Sequence, residues 1–307
     1  MKRRDFLLTT SSFLLGGAVS SSEAAIGSLA SIPQWFQDDA LPYVNQLGLQ
    51  LWTVRNQMAE DPDATLKAVA KAGYQQVELG SVLGMDQVIK LAGDHGLKVN
   101  SAFFNWESVV RAGEENVPSL DSIIEKASEF QLKHLVFGYI AKGYRETADQ
   151  LKHIIEQANK AAEKVEKAGM KLCYHNHSFE FAPVKVDGKE TCGYEMFING
   201  FDPEKMHFEV DVFWVKIGGW DPIKTMQRLK GRVTQVHLKD LKSGVDTHYD
   251  EGAVPEDAFQ ELGDGTIDMK QVVELAKEIG VEHCHVEQDQ SPDPLKSIVQ
   301  SMQYMKA

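Results

Sequence analysis

Short apolar runs alternate along this chain with longer stretches whose apolar residues recur at helical spacing. The runs predict strands at Leu47–Thr53, Gln75–Leu79, Lys98–Phe103, Lys133–Gly138, Met170–Asn176, Met206–Val212, Val233–Lys239 and Val281–Glu287. Helices are expected from Asp63 to Gly73, up to His95-Gly96, from Ser119 onward, over Thr147–Ala168, near Asp221–Leu229 and over Asp268–Ile279. A last helix covers Pro294–Met305. Gly73 and Gly169 are natural C-terminal stops. Strands alternating with helices imply a parallel sheet, and eight such units suit one closed (β/α)₈ barrel, an α/β fold of the TIM type. The expected organisation is a leader over 1–25, an irregular lead over 26–45 and the barrel over 46–307. Two embellishments fall on the C-terminal face. Phe179–Tyr194 holds a hairpin turn at Val186-Asp187-Gly188-Lys189, and Ser243–Gly265 is a long polar loop.

Within a strand, residues two apart share a face. His175 and His177 therefore point one way on the fifth strand. His207, Glu209 and Asp211 do so on the sixth, against Phe208, Val210 and Val212. Gln235, His237 and Lys239 oppose Val236 and Leu238 on the seventh; His283, His285, Glu287 and Asp289 share a face on the eighth. The apolar sets should pack under the helices and the polar sets should line the lumen. Four polar interiors in succession are costly unless something ionic pairs with them, and one divalent cation would do so. The last lumen-facing residue at each strand end is the expected ligand: His175, Asp211, His237 and Glu287. Two imidazoles and two carboxylates suit Mn, Co, Zn or Fe(II) better than Ca or Mg. Singly, each has a plainer reading. A strand histidine is usually a hydrogen-bonded core residue, and an aspartate at a strand end usually caps the next helix. The joint pattern over four strands favours the metal.

The balance of charge narrows the partners. The 307 residues are 43% hydrophobic and 25% charged, with a formal net charge of -13. An acidic chain without a Lys/Arg run argues against nucleic acid. Three cysteines, Cys173, Cys192 and Cys284, do not make a disulfide framework. Cys173 and Cys284, inside strands, read as packed thiols. At the N-terminus, Lys2-Arg3-Arg4 precedes a diluted apolar stretch over 6–19 and a small-residue cleavage site at Ser22-Glu23-Ala24. The Arg3-Arg4 pair followed by Phe6-Leu7 is similar to twin-arginine export signals. That route would carry a folded, metal-loaded protein to the periplasm; an ordinary signal or an uncleaved anchor is the plainer alternative. No later stretch approaches the roughly 18 apolar residues of a membrane span.

Several segments carry a resemblance: Leu49-Gln50-Leu51-Trp52-Thr53-Val54-Arg55, Ala72-Gly73-Tyr74 with Val77-Glu78, Tyr174-His175-Asn176-His177, His237-Leu238-Lys239-Asp240, Gly263-Asp264-Gly265 with Ile267-Asp268, and Val286-Glu287. In this order the chain resembles the xylose isomerase-like TIM barrels, the sugar phosphate isomerase/epimerase group, over residues 46–305. In the ketose 3-epimerases of that group Glu, Asp, His and Glu hold the metal. Asp211, His237 and Glu287 match the last three positions, but the first is His175. Those epimerases use both glutamates as an acid/base pair, so the departure is similar to the inosose dehydratases. The resemblance implies a metal-dependent sugar isomerase/epimerase working by proton abstraction beside a carbonyl. Its alternative is a lyase or dehydratase performing β-elimination on a keto sugar, 3-keto-glycoside or inosose. A non-catalytic periplasmic sugar-binding protein is a third reading. An apurinic-site endonuclease, which shares the barrel, fits neither the acidic balance nor the ligand count.

In this frame Glu287 is the expected ligand and base, and His177 the second acid/base group. Lys239 would bind a substrate oxygen or stabilise the enediolate. Trp214 would wall a sugar ring, with Glu78 and Arg55 as further substrate contacts. The Gly263-Asp264-Gly265 turn resembles a phosphate-cradling loop only superficially, since it lacks a lysine.

Overall fold

The computed structural model of the protein describes residues 40–307. The expected leader and most of the irregular lead lie outside the described residues. Eight strands close a barrel: Gly48–Gln50, Gln76–Leu79, Lys98–Phe103, His134–Gly138, Lys171–His175, Met206–Asp211, Val233–Leu238 and His283–Val286. We number them first to eighth. Each pairs in parallel with its neighbours in sequence, and the first pairs with the eighth through Gly48↔His285 and Leu49↔Val286. The result is a single closed (β/α)₈ barrel, as the alternation predicts.

The helices begin where their sequences say they should. Asp61 accepts from Ala64 N (2.9 Å) and Pro62 opens the helix Pro62–Ala72. Thr147 and Gln150 form a capping box on Ala148–Lys167. Asp268 caps Met269–Ile279, which stops at the left-handed Gly280. Leu151, Ile154, Ala158, Ala162 and Val165 form the buried stripe of the longest helix. It packs on the outward faces of the strands, where Leu172, Tyr174, Phe208 and Val210 are buried. Each such side chain contributes about 1.5–3 kcal/mol by leaving water, so the ring of helices fixes which way every strand faces.

Strand ends differ by a few residues from the expected ones. The first strand stops at Gln50, not Thr53, because Gln50 Oε1 accepts from Trp52 N (3.0 Å) and turns Leu51–Val54 into a 3₁₀ segment. The fifth stops at His175. There Asn176 continues the pairing with its side chain, Oδ1 accepting from Asp211 N (3.1 Å) and Nδ2 donating to Asp211 O (3.3 Å). Gly48 leaves room in the lumen, since a Cβ there would lie 2.2 Å from His285 Cδ2. The expected hairpin is present as Pro183–Val186 against Lys189–Cys192, with Asp187 and Gly188 both at positive φ. All three cysteines are free and buried. No helix of the described residues is long and apolar enough to cross a membrane.

Candidate active site

The barrel brings His175, Asp211, His237 and Glu287 together at the C-terminal mouth. One donor atom from each lies within 4.8 Å of every other, and all four residues are buried. His237 Nδ1 is 2.9 Å from Glu287 Oε2 and 3.9 Å from Asp211 Oδ2; His175 Nε2 is 4.0 Å from Asp211 Oδ2. Donors each about 2 Å from one ion sit at such separations. Asp211 uses its other oxygen, Oδ1, to cap the next helix at Trp214 N (3.0 Å), which leaves Oδ2 free to face the site. Oδ2 makes no hydrogen bond of acceptable geometry among the described residues, although Lys239 Nζ is 3.0 Å away. A buried carboxylate oxygen in that state fits a cation.

A second layer stands beneath. His237 Nε2 lies 2.6 Å from Glu78 Oε2 and 3.1 Å from Glu209 Oε1, and His175 Nδ1 lies 3.1 Å from Glu209 Oε1. Each of these imidazoles thus has a carboxylate behind its far nitrogen, which fixes the nitrogen presented to the mouth. Gln50, Ser101 and Gln235 hold these carboxylates in turn. Burial raises Glu209, and the neighbouring Glu78 charge adds to it. Burial also acts on Glu78, but the His285 and His237 imidazoles outweigh it and hold Glu78 well below the usual carboxylate range.

Charge also separates the roles in the first layer. Burial disfavours the His175 cation, and nearby His237, His177 and Lys239 push the same way, so its affinity for a proton falls far below normal. Burial opposes charge on His237 too, but Glu209, Glu287 and Glu78 outweigh it and raise that group. Glu287 is pulled down to about 2: burial is overcome by Lys239 and His237. Lys239 is wholly buried, yet Asp211, Asp289 and Glu287 hold it charged.

The other sequence-predicted residues fall in different places. Lys239 Nζ lies 2.7 Å from Glu287 Oε2 and also bonds Asp289, so it braces carboxylates rather than facing the open mouth. Burial and the Lys239 charge push His177 down to about 3, so it is a neutral imidazole and not a ready proton donor. Its ring packs against Tyr139, His175, Phe179 and Trp214. Trp214 is only 3% exposed and serves chiefly as packing beside His177. Glu78 is fully buried under His237, which corrects its expected contact with substrate. Arg55 folds back on Trp52, donating to its carbonyl at 2.8 Å with the guanidinium over the indole. The Gly263 and Gly265 amides donate to Asp240 Oδ2 and Ile267 N to Oδ1, so that turn has no free cradle for phosphate.

Sequence reasoning missed the backing role of Glu209, the bracing role of Asp289, and the rim aromatics Trp52 and Tyr139. Trp52 and Tyr139 are 50% and 56% exposed at the ends of the first and fourth strands. The signal for Glu209 was its place two residues before Asp211. For the aromatics it was their place just past a strand end.

Comparison with known proteins agrees with this architecture. Residues 66–307 match the family model described as xylose isomerase-like TIM barrel. An inosose dehydratase of Clostridium tetani is 24% identical over 266 residues, covering 78% of this chain and 87% of the relative. The crystal structure of a sugar phosphate isomerase/epimerase from Parabacteroides distasonis superimposes with a TM-score of 0.69 at 25% identity, over 91% of this chain and 96% of that one. A structure of IolI protein with a bound zinc atom shares the fold at 15% identity, with a TM-score of 0.62 over 85% and 96%. With the family model spanning most of its length, this chain belongs to the xylose isomerase-like TIM barrel family.

Proposed function

We propose that this protein is a metal-dependent enzyme that removes the proton beside the carbonyl of a keto sugar or cyclitol, with Glu287 as the base. The observation that carries this reading is the convergence of His175, Asp211, His237 and Glu287 on one point, with both imidazoles already backed by carboxylates. The donor set suits Mn, Co, Zn or Fe(II), and the zinc in the IolI neighbour supports an ion of this kind. Such an ion, when bound, polarises a carbonyl and acidifies the C–H beside it. The chain's own residues supply the rest. Glu287, held ionised, accepts the proton at neutral pH. Lys239 fixes its carboxylate at 2.7 Å. His177, neutral and with Nδ1 unpartnered among the described residues, accepts a hydrogen bond from a substrate hydroxyl. Tyr139 and Trp52 offer apolar faces for the ring.

The depressed affinity of His177 bears on the fate of the carbanion once its proton is gone. Epimerisation by two groups needs a donor on the face opposite the base, and His177 is a weak one. Chemistry with one base is better served: Glu287 returns the proton to a neighbouring carbon, giving an isomer, or to a departing β-hydroxyl, giving loss of water. We place elimination first. It fits His175 at the first ligand position and the dehydratase names of the curated relatives. Isomerisation, favoured by the name of the Parabacteroides neighbour, stands second. Turnover of keto sugars, 3-keto-glycosides and inososes in heavy water, followed by NMR, tests both. Deuterium exchange beside the carbonyl, or loss of that hydrogen with water, is expected and should vanish in Glu287→Gln. A good substrate turned over without cleavage of that C–H bond overturns the proposal. The Arg3-Arg4 pair supports export to the periplasm. Replacing both by Lys should trap the precursor in the cytoplasm, and normal export would refute the twin-arginine route.

A further inference from the structure

The opposite end of the barrel holds a second cluster that the proposed reaction does not use. His134 opens the fourth strand, His283 opens the eighth, and Glu282 immediately precedes it. One donor atom from each lies within 4.8 Å of the others. His134 is fully buried, and neither of its ring nitrogens has a hydrogen-bond partner among the described residues; the same is true of His283 Nδ1. Imidazole nitrogens left bare in a buried site are costly, so the arrangement calls for a ligand. The two rings stand edge to face with centroids 5.2 Å apart. Glu282 Oε2 lies 3.4 Å from His134 Nε2, while Lys171 binds the other oxygen of the same carboxylate. Burial brings His283 down to about 4, so its imidazole is neutral at pH 7. His207 of the sixth strand, also pushed down to about 4, carries a further buried and unpartnered Nδ1.

We propose that His134, Glu282 and His283 form a second transition-metal site, for Zn(II), Co(II) or Ni(II), that ties the fourth and eighth strands together across the N-terminal mouth. Two imidazoles and one carboxylate are a ligand set for borderline ions, with a fourth position left for water. Glu282 is 39% exposed at its side chain, so an ion can enter from solvent. The site is structural. It lies at the end of the barrel where side chains serve stability rather than chemistry, and it would bind the folded state alone. The plain alternative is an ion pair of Lys171 with Glu282 that leaves the histidines bare.

Metal-stripped, untagged protein titrated with Zn(II) or Co(II) separates the two. Wild type should bind two equivalents, and the second should raise the melting temperature. His134→Asn combined with His283→Asn should bind one equivalent with turnover unchanged. Asp211→Ala should also bind one, without turnover. A single equivalent in wild type that is lost in Asp211→Ala overturns the second site. A single equivalent retained in Asp211→Ala but lost in the double variant supports it, and instead sinks the metal assignment at the C-terminal mouth. Should the double variant fail to fold, imidazole ¹⁵N spectra of wild type decide. Zn(II) should shift the His134 and His283 rings, and two equivalents bound with both rings unmoved refutes the site.

Discussion

The two mouths of this barrel use the same residue types in different ways. At the C-terminal mouth each ligand imidazole has a carboxylate behind it, Glu78 at 2.6 Å from His237 and Glu209 at 3.1 Å from His175. At the N-terminal mouth neither ring nitrogen of His134, nor Nδ1 of His283, has a hydrogen-bond partner among the described residues, and the nearby carboxylate of Glu282 is shared with Lys171. The difference is one of preorganisation. On the proposed roles, a reacting centre would hold its donors through changes of charge with a second layer, whereas a site that only ties strands together would rely on the strands themselves. The same contrast explains where the ionised groups lie. Glu287 and Lys239 are kept charged deep in the upper lumen by one another and by their neighbours. At the lower mouth, burial pushes His207 and His283 down to about 4.

The contrast breaks first at the ligands themselves. Asp211→Ala or His237→Ala should fold, lose the upper metal and lower kcat/KM by roughly 10³-fold or more, the scale of several kcal/mol of lost charge stabilisation. Full metal occupancy at that mouth in either variant would refute the assignment. Next in size is the second layer. Glu78→Gln and Glu209→Gln should each weaken metal binding at the upper mouth by about 10–100-fold, read by competition with a chelator. Unchanged affinity would mean the carboxylates are packing, and would erase the contrast between the mouths. The smallest effect asks whether burial alone shifts an upper carboxyl. Glu180, sequestered with Tyr174 Oη 2.7 Å away, is pushed up by burial to about 8. A raised pKa favours the fold fully below the ordinary value of 4.5, and that stability is lost as pH rises through 8. Glu180→Gln keeps the neutral form, so it should flatten the fall in melting temperature from pH 5 to 9. An unchanged slope would show that Glu180 is already ionised.

Much of the fold and part of the site can be read from local pattern. The placement of His237 and Lys239 opposite Val236 and Leu238 needs only the two-residue period of a strand, and the starts of three helices need only Ser119, Thr147 and Asp268. Glu78 shows where that reading ends. Its strand and its inward face are legible, but whether an inward carboxylate meets substrate or backs an imidazole depends on its height in the lumen. His177 shows a second limit. Its sequence neighbours suggest an ordinary imidazole, whereas burial and the Lys239 charge, brought from the seventh strand, set its chemistry.

The sequence by itself determined the order of strands and helices and the shared faces of the polar clusters on the last four strands. These come from repeats of 2 and 3.6 residues, which are local properties of the backbone. Only the tertiary structure decided which donor atoms meet. The closed register sets His175 beside Glu209, Asp211 beside His237 and His237 beside His285, and it carries Glu78 from the far side of the barrel to the back of His237. The physical reason is closure: the stagger between neighbouring strands accumulates around the ring, and no single segment of sequence contains that sum.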